Sequence, residues 1–182
     1  ASPTQYGSTV AIGNVVVSPS EFMPRLFAEN GRLLDSQGRI TLDTPEALRA
    51  LENYRETYSY SDRTIYDFWK NALEGFADGT AAMTVVFINY ASHILNSQMS
   101  RIAGKLGFAP VPGGKPLLGG GVIGIAQSCT CPAAACKFLE WLYADLVAPV
   151  FTMLGGLSPC RSAYSNRDIS EQYPWLSTAR KS

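Results

Sequence analysis

Apolar positions along this chain fall into two spacings, short β-branched runs and stripes repeating every three or four residues. Their interleaving predicts a layered α/β fold. Thr9-Val-Ala-Ile12 and Val15-Val-Val17 form a strand, or a pair of strands broken at Gly13-Asn14. Ser18-Pro-Ser-Glu21 supplies capping chemistry for a helix carrying Phe22, Leu26 and Phe27, which a left-handed cap at Asn30-Gly31 ends. A turn at Asp35-Ser-Gln-Gly38 separates Leu33-Leu34 from Arg39-Ile-Thr-Leu42, a hairpin signal. Thr44-Pro45-Glu46 starts a second helix, with a hydroxyl at the cap, proline at the first position and an acid facing the helix dipole. Its stripe is Ala47, Leu48, Leu51 and Tyr54.

Beyond the tyrosine-rich connection Tyr58-Ser-Tyr-Ser-Asp62, a third helix is expected from about Thr64 to Ala77. It carries Phe68, Leu73 and Phe76 on one stripe and stops at Gly79. Ala81 to Phe87 is short, apolar and bounded by turn residues, the pattern of a fully buried strand. A helix near Tyr90 to Ile102 follows. Gly107 to Pro116 is too rich in proline and glycine to be helical and reads as a crossover. Val122-Ile-Gly-Ile125 is expected to be a strand. Pro132 then opens a helix with Cys136, Leu139, Leu142 and Tyr143 on its inner face. A short helix over Asp145 to Leu154 ends at Gly155-Gly156, Ser158 to Ser162 is irregular, and a polar helix with Pro174-Trp175 closes the chain. There is no internal repeat and no low-complexity block.

Composition narrows the function classes. At 182 residues and 46% hydrophobic content the chain can bury one substantial core. Its 15 basic and 15 acidic side chains cancel. No overall positive field is available to grip a phosphate backbone or an anionic membrane, so nucleic acid is not an expected partner. The apolar runs Ala81–Ile88 and Leu146–Leu157 are too short or too interrupted to span a bilayer. The N-terminus, Ala-Ser-Pro-Thr-Gln, lacks an initiator methionine and the layout of a signal peptide, as expected of an excised or processed piece.

Residues suited to catalysis are scarce. His93 is the sole histidine, without a serine elbow or a cysteine beside it. The acid pairs Glu52 with Glu56 and Glu74 with Asp78 sit at helical spacing and read as solvated faces. Gly119, Gly121 and Gly124 satisfy G-x-G-x-x-G, but no helix opens directly behind them, which a dinucleotide site requires. Gly114-Lys115 is followed by Pro116 rather than serine or threonine, which rejects a P-loop. Cys129, Cys131 and Cys136 have no zinc-type spacing. They read as small hydrophobes, with a disulfide from Cys160 to one of them as the alternative. No catalytic residue, metal site or cofactor is assigned.

What remains is recognition chemistry. Tyr66, Phe68, Trp69, Phe87 and Tyr90 cluster in sequence, and an aromatic ring matches the apolar face of a sugar while its hydroxyls take a few placed hydrogen bonds. By helical geometry Phe68 shares the stripe of Phe76, whereas Tyr66 and Trp69 point elsewhere. Gly119-Gly-Gly121 reads either as a flexible turn or as a place where backbone approaches a solute.

Taken in order, several of these segments resemble the sugar-type extracellular solute-binding proteins of ABC importers. Phe76-Ala-Asp-Gly-Thr-Ala-Ala-Met83 is similar to that family's F-x-x-G-x-A-A-M signature. Asn30 through Leu42, Thr44-Pro-Glu-Ala-Leu48, Pro110-Val-Pro-Gly-Gly114, Gly119-Gly-Gly121, Ala133 to Leu142 and Gly155-Gly-Leu-Ser-Pro-Cys-Arg161 resemble further family segments in the same order. The resemblance implies a type II periplasmic-binding-protein-like α/β lobe, a layered sheet with helices on both faces, incomplete relative to the two-lobed protein. Residues 1–103 and 144–182 would form the second lobe, and 104–143 a crossover segment belonging to the first.

The implied function is binding of a small polar solute, a mono- or oligosaccharide, without transforming it, for the permease subunits of an importer. The implied site is Trp69 and Tyr90 flanking the ring, Asn89 and Arg161 bonding hydroxyls, and Gly119, Gly120 and Gly121 supplying backbone donors. Asn89 stands where the family often has tryptophan, which shifts the aromatic to Tyr90. The implied location is extracellular or periplasmic, anchored through an N-terminal lipoprotein signal that this sequence lacks. The alternative is the ligand-sensing domain of an intracellular transcription regulator, cytoplasmic, which the four thiols favour.

Overall fold

The structure is a computed structural model and describes residues 4–13, 15–64, 69–154, 156, 158–165, 167 and 173–181. The readings at Asn14, Tyr66, Phe68 and Gly155, and part of the expected tail helix, lie outside these residues. The described chain forms two compact units. One is drawn from the chain up to Val86 and from His93–Leu117, the other from Phe87–Ser92 and Leu118–Lys181.

In the first unit, β1 (Tyr6–Thr9) pairs in parallel with β2 (Ala81–Thr84), with Tyr6 opposite Ala81 and Thr9 opposite Thr84. Parallel pairing needs a long crossover. Helices α1 (Val17–Ala28), α2 (Pro45–Ser59) and α3 (Trp69–Ala77) provide it. The β-branched run after β1 does not continue as strand: Val15 and Val16 are exposed and Val17 begins α1.

Small side chains let α1 and α2 approach closely. Leu26, fully buried, packs on Ala47 and Ala50, with Phe22 and Met23 alongside. The core stripe of α2 is therefore Ala47, Ala50 and Tyr54, while the expected Leu48 and Leu51 are more than half exposed. Thr44 caps α2 as its sequence requires, its hydroxyl accepting from the Ala47 amide at 3.3 Å. At the end of α1, Asn30 takes a left-handed φ of 62°, and the Gly31 amide donates to the Leu26 carbonyl at 2.9 Å. The hairpin turn also forms. Leu34 bridges Ile40, and the Asp35 carboxylate accepts from the Arg39 and Gln37 amides at 2.9 and 2.8 Å. The Arg39 amide, then its side chain, holds Asp35 below the usual carboxylate range.

Leu73 and Phe76 of α3 are buried as expected, together with Ala72 and Ala77, and Gly79 turns the chain at φ 82°. β2 is shorter and more exposed than its apolar sequence suggests: Ala81 is buried, but Met83 is 64% exposed. The expected helix over 90–102 reduces to a 3-10 turn (Ile88–Tyr90) and α4 (Ala91–Leu95). Asn96 stops it, because its side chain accepts from the Gln98 amide at 2.9 Å and its carbonyl from Met99 and Ser100. The proline-rich stretch is irregular, with one 3-10 turn (Pro112–Gly114) laid on α1. A side-chain carbon at Gly113 would lie 2.5 Å from the Cβ of Ala28.

The second unit contains α5 (Pro132–Leu142), α6 (Val147–Met153), α7 (Ser162–Ser165) and α8 (Trp175–Lys181). Its core is Ala148, Thr152, Ser158, Ala163, Trp175 and Leu176. Thr152 and Ser158 are buried with partners: the Thr152 hydroxyl donates to the Ala148 carbonyl at 2.9 Å, and the Ser158 carbonyl accepts from the Tyr164 hydroxyl at 2.8 Å.

Two expectations fail in this unit. Val122–Ile125 forms no strand: it has no ladder partner among the described residues, and Val122 is fully exposed. No residue of α5 is buried, so Cys136, Leu139, Leu142 and Tyr143 do not form an inner face. Phe138 and Trp141 are exposed, their ring centroids 5.7 Å apart. No helix among the described residues is long and apolar enough to cross a membrane.

Candidate functional site

In open α/β sheets, ligands meet the chain beyond the carboxyl ends of the strands, where loops leave the layer. β2 ends at Thr84, and the chain runs from there to the turn Ile88–Tyr90, which carries Asn89 and Tyr90. The Tyr90 amide closes this turn on the Phe87 carbonyl at 3.0 Å. Asn89 is exposed and Tyr90 half-buried.

The glycine loop meets the same segment. A Cβ on Gly119 would lie 2.8 Å from Cε1 of Phe87, so only glycine lets the loop and that ring come together. At Gly120 and Gly121 a Cβ would meet nothing within 4 Å. None of the three adopts a left-handed φ, so the loop does not need glycine for its backbone shape.

Arg161 immediately precedes α7 and is exposed; its carbonyl accepts from the Tyr164 amide at 3.1 Å and the Ser165 hydroxyl at 3.0 Å. Among the described residues, neither the Asn89 carboxamide nor the Arg161 guanidinium has a protein partner, so both retain their hydrogen-bonding capacity. Asn89, Tyr90, the three glycines and Arg161 all belong to the second unit. Direct packing joins the first two groups, through Phe87 and Gly119. Trp69 belongs to the first unit, at the start of α3, and its side chain is outside the described residues.

The carboxyl end of β1 carries a polar group that the sequence reading missed. The Glu21 carboxylate accepts from the Ala11 amide at 3.2 Å and pairs with Arg25 at 2.9 Å. The Tyr54 hydroxyl donates to the Ala11 carbonyl at 3.0 Å, and the Arg25 guanidinium lies 4.9 Å from the Tyr54 ring centre. Burial raises the Glu21 carboxyl above its ordinary range, and Arg25 with the Ala11 amide offsets that only in part. Burial likewise pushes the Tyr54 phenol upward. The available signal was the Glu21–Arg25 spacing of four residues. Ser18-Pro-Ser-Glu21 does not cap α1: Ser18 accepts from the Gly13 amide at 3.2 Å and Glu21 turns inward.

Two open depressions mark the surface of the first unit. One of about 520 Å³ is lined by residues including Tyr6, Gly7, Tyr60 and Arg63, the other of about 640 Å³ by residues including Glu52, Arg55 and Arg63. Neither contains a residue of the expected solute site, although the second includes the acid pair Glu52 and Glu56. The first meets β1 at Tyr6 and Gly7, its amino end, opposite to where such sheets place ligands.

The sequence pattern that defines the bacterial extracellular solute-binding proteins matches residues 6–178. The chain belongs to that family. This solute-binding protein is 28% identical over 91 residues to YcjN of Escherichia coli (strain K12), named as an ABC transporter periplasmic-binding protein; the match covers 50% of this chain and 20% of YcjN. It shares its fold with an ABC transporter solute-binding protein from Agrobacterium radiobacter K84 solved with ribitol, at a TM-score of 0.78 and 23% identity over 98% of this chain. Maltose-bound MalE3 of T. maritima superposes at a TM-score of 0.80, with 24% identity over 94% of this chain. The α/β lobe of a periplasmic binding protein is thus the fold of this solute-binding protein, which spans 47% of each of those solved chains. The family is one of extracellular solute-binding proteins, and both YcjN and the Agrobacterium protein are named as binding proteins of ABC transporters.

Proposed function

We propose that this solute-binding protein presents one wall of an interlobe cleft that holds a small polyhydroxylated solute, a polyol, monosaccharide or oligosaccharide, for the permease subunits of an ABC importer outside the cytoplasm. It performs no chemistry on the solute. Residues 1–103 and 144–182 act as the second lobe, with 104–143 as the crossover to the first. The observation that carries this reading is the family match over residues 6–178. The packing of Phe87 on Gly119, which joins the segment of Asn89 and Tyr90 to the glycine loop, supports the proposed contacts. The ribitol and maltose bound by the two structural neighbours support this solute class.

In this reading Tyr90 offers an aromatic face to the apolar side of the ring, and Trp69 is the second aromatic candidate. Asn89 and Arg161 bond hydroxyls, and Gly119 to Gly121 present amides that no side chain covers. One wall makes only part of the contacts. Halving the roughly 8 kcal/mol of a micromolar site leaves affinity near the millimolar range.

The test is a titration of the chain with ribitol, maltose and glucose at millimolar concentration, followed by amide NMR. Fast-exchange shifts at Asn89, Tyr90 and Gly119–Gly121, reduced in Asn89→Ala, are expected. Absence of any shift with all three solutes overturns the solute class. Micromolar affinity overturns the one-wall reading, and shifts confined to other residues overturn the site.

A further inference from the structure

Cys129 and Cys131 lie on the short stretch entering α5 and Cys136 lies within it, and the solute-binding reading uses none of the four cysteines. All four are free thiols, with Cys131 and Cys136 exposed and Cys129 and Cys160 half-buried. The geometry sorts the pairs. Cys160 Sγ lies 3.7 Å from the Tyr143 carbonyl, just past the carboxyl end of α5, whereas Cys131 caps its amino end. Eleven helical residues separate those ends by about 16 Å at 1.5 Å each. A disulfide needs Cα atoms within about 7 Å. Cys160 therefore cannot reach Cys129 or Cys131 without unfolding α5, and Cys136 sits about 10 Å of helix rise from Tyr143.

Cys131 and Cys136 are separated by the first turn of α5, since Cys131 immediately precedes the helix and Cys136 is its fifth residue, which turns their side chains to different sides. Cys129 and Cys131 differ. With one residue between them the covalent chain limits their Cα separation to about 7 Å, and the bend centred on Thr130 shortens it further. The backbone on either side is held: the Cys129 amide donates to Ala126 at 2.9 Å, and the Cys131 carbonyl accepts from Ala134 and Ala135 at 3.1 Å. Both sets of bonds lie outside the ring that a Cys129–Cys131 bridge would close.

We infer that Cys129 and Cys131 form a dithiol–disulfide redox pair at the entrance to α5, oxidised by low-molecular-weight disulfides of the glutathione class. The Cys131 thiolate, the more accessible of the two, attacks one sulfur of the oxidant. Its proton passes to solvent and one small thiolate departs, leaving a mixed disulfide. The Cys129 thiolate, losing its proton, then attacks Cys131 Sγ, the S–S bond to the small thiol breaks, and that second thiolate leaves. The protein gives up two electrons and two protons; the oxidant is reduced to two thiols. Cys136 and Cys160 remain thiols, and the ring leaves the α5 backbone bonds in place.

The test is to treat the reduced full chain with excess oxidised glutathione, block remaining thiols with a maleimide, and map disulfides by mass spectrometry. The expected product is a monomer that has lost two of its four free thiols, bridged between Cys129 and Cys131. In Cys129→Ser the mixed disulfide at Cys131 should accumulate, while Cys136→Ser should still form the bridge. Retention of all four thiols, a bridge to Cys136 or Cys160, or only covalent dimers would overturn the inference. The bridging ratio of Cys129→Ser to Cys136→Ser keeps the result readable if either variant folds poorly.

Discussion

Gly119, Gly120 and Gly121 are identical in the sequence and different in their surroundings. Gly119 is required by the Phe87 ring, so Gly119→Ala must push that ring aside or open the loop, an overpacking cost of about 1–3 kcal/mol. Gly120→Ala meets open space and ordinary backbone, so its stability should stay within about 0.5 kcal/mol of the parent. Chemical denaturation of the two variants checks the contrast, and equal losses would remove the packing account. Asn89, Tyr90 and the glycines were legible as candidates because each carries recognition chemistry in a turn-rich context. That Phe87 joins them was not legible, since it depends on a contact between segments about thirty residues apart. The cysteine alternatives were open in the sequence for the same reason; the rise of α5 sets Cys160 apart from Cys129 and Cys131.

Three elements meet at Glu21: α1 carries it, the chain after β1 donates to it through Ala11, and α2 brings Tyr54 to the same peptide. Its raised carboxyl titrates higher in the fold than in the unfolded chain. A proton therefore favours the fold. This contribution is complete below the ordinary glutamate value of 4.5 and is lost as pH rises through the folded value. Tyr54, whose phenol is pushed upward, stays neutral throughout that range. In Glu21→Gln the contribution is gone, so the stability of the parent minus that of the variant should increase as pH falls from about 7 to 5. Urea unfolding at the two pH values measures it; a flat or decreasing difference would reject the assignment. At this scale the sequence was clearest where the signal was local. Thr44-Pro45-Glu46 and the Asp35 turn formed as read. Stripes failed where a partner decided the face, as when Leu48 and Leu51 yielded the α1 contact to Ala47 and Ala50.

Each unit holds a core of its own, and the second depends on the chain's last described helix. Trp175, 1% exposed, packs with Leu176 near α7, and its truncation to alanine removes the largest buried side chain of that unit. Trp175→Ala should cost about 3–5 kcal/mol and strip hydrogen-exchange protection from the amides of Thr152 and Leu154. Unchanged protection would show that the ring carries little of the unit. The α/β class was legible because strand and helix periods alternate. The number of strands was not: an apolar run becomes a strand only where a neighbour supplies hydrogen bonds, and Val122–Ile125 has none among the described residues.

That bare stretch has a practical consequence. Its open amides and carbonyls sit beside uncovered valine and isoleucine, so it offers an adhesive edge to another molecule in the tube. Concentrated samples will be governed by that stickiness before any property of the solute site is reached. A lysine at Val122, where the side chain is surrounded by water, is the substitution that keeps the protein dispersed without touching either core.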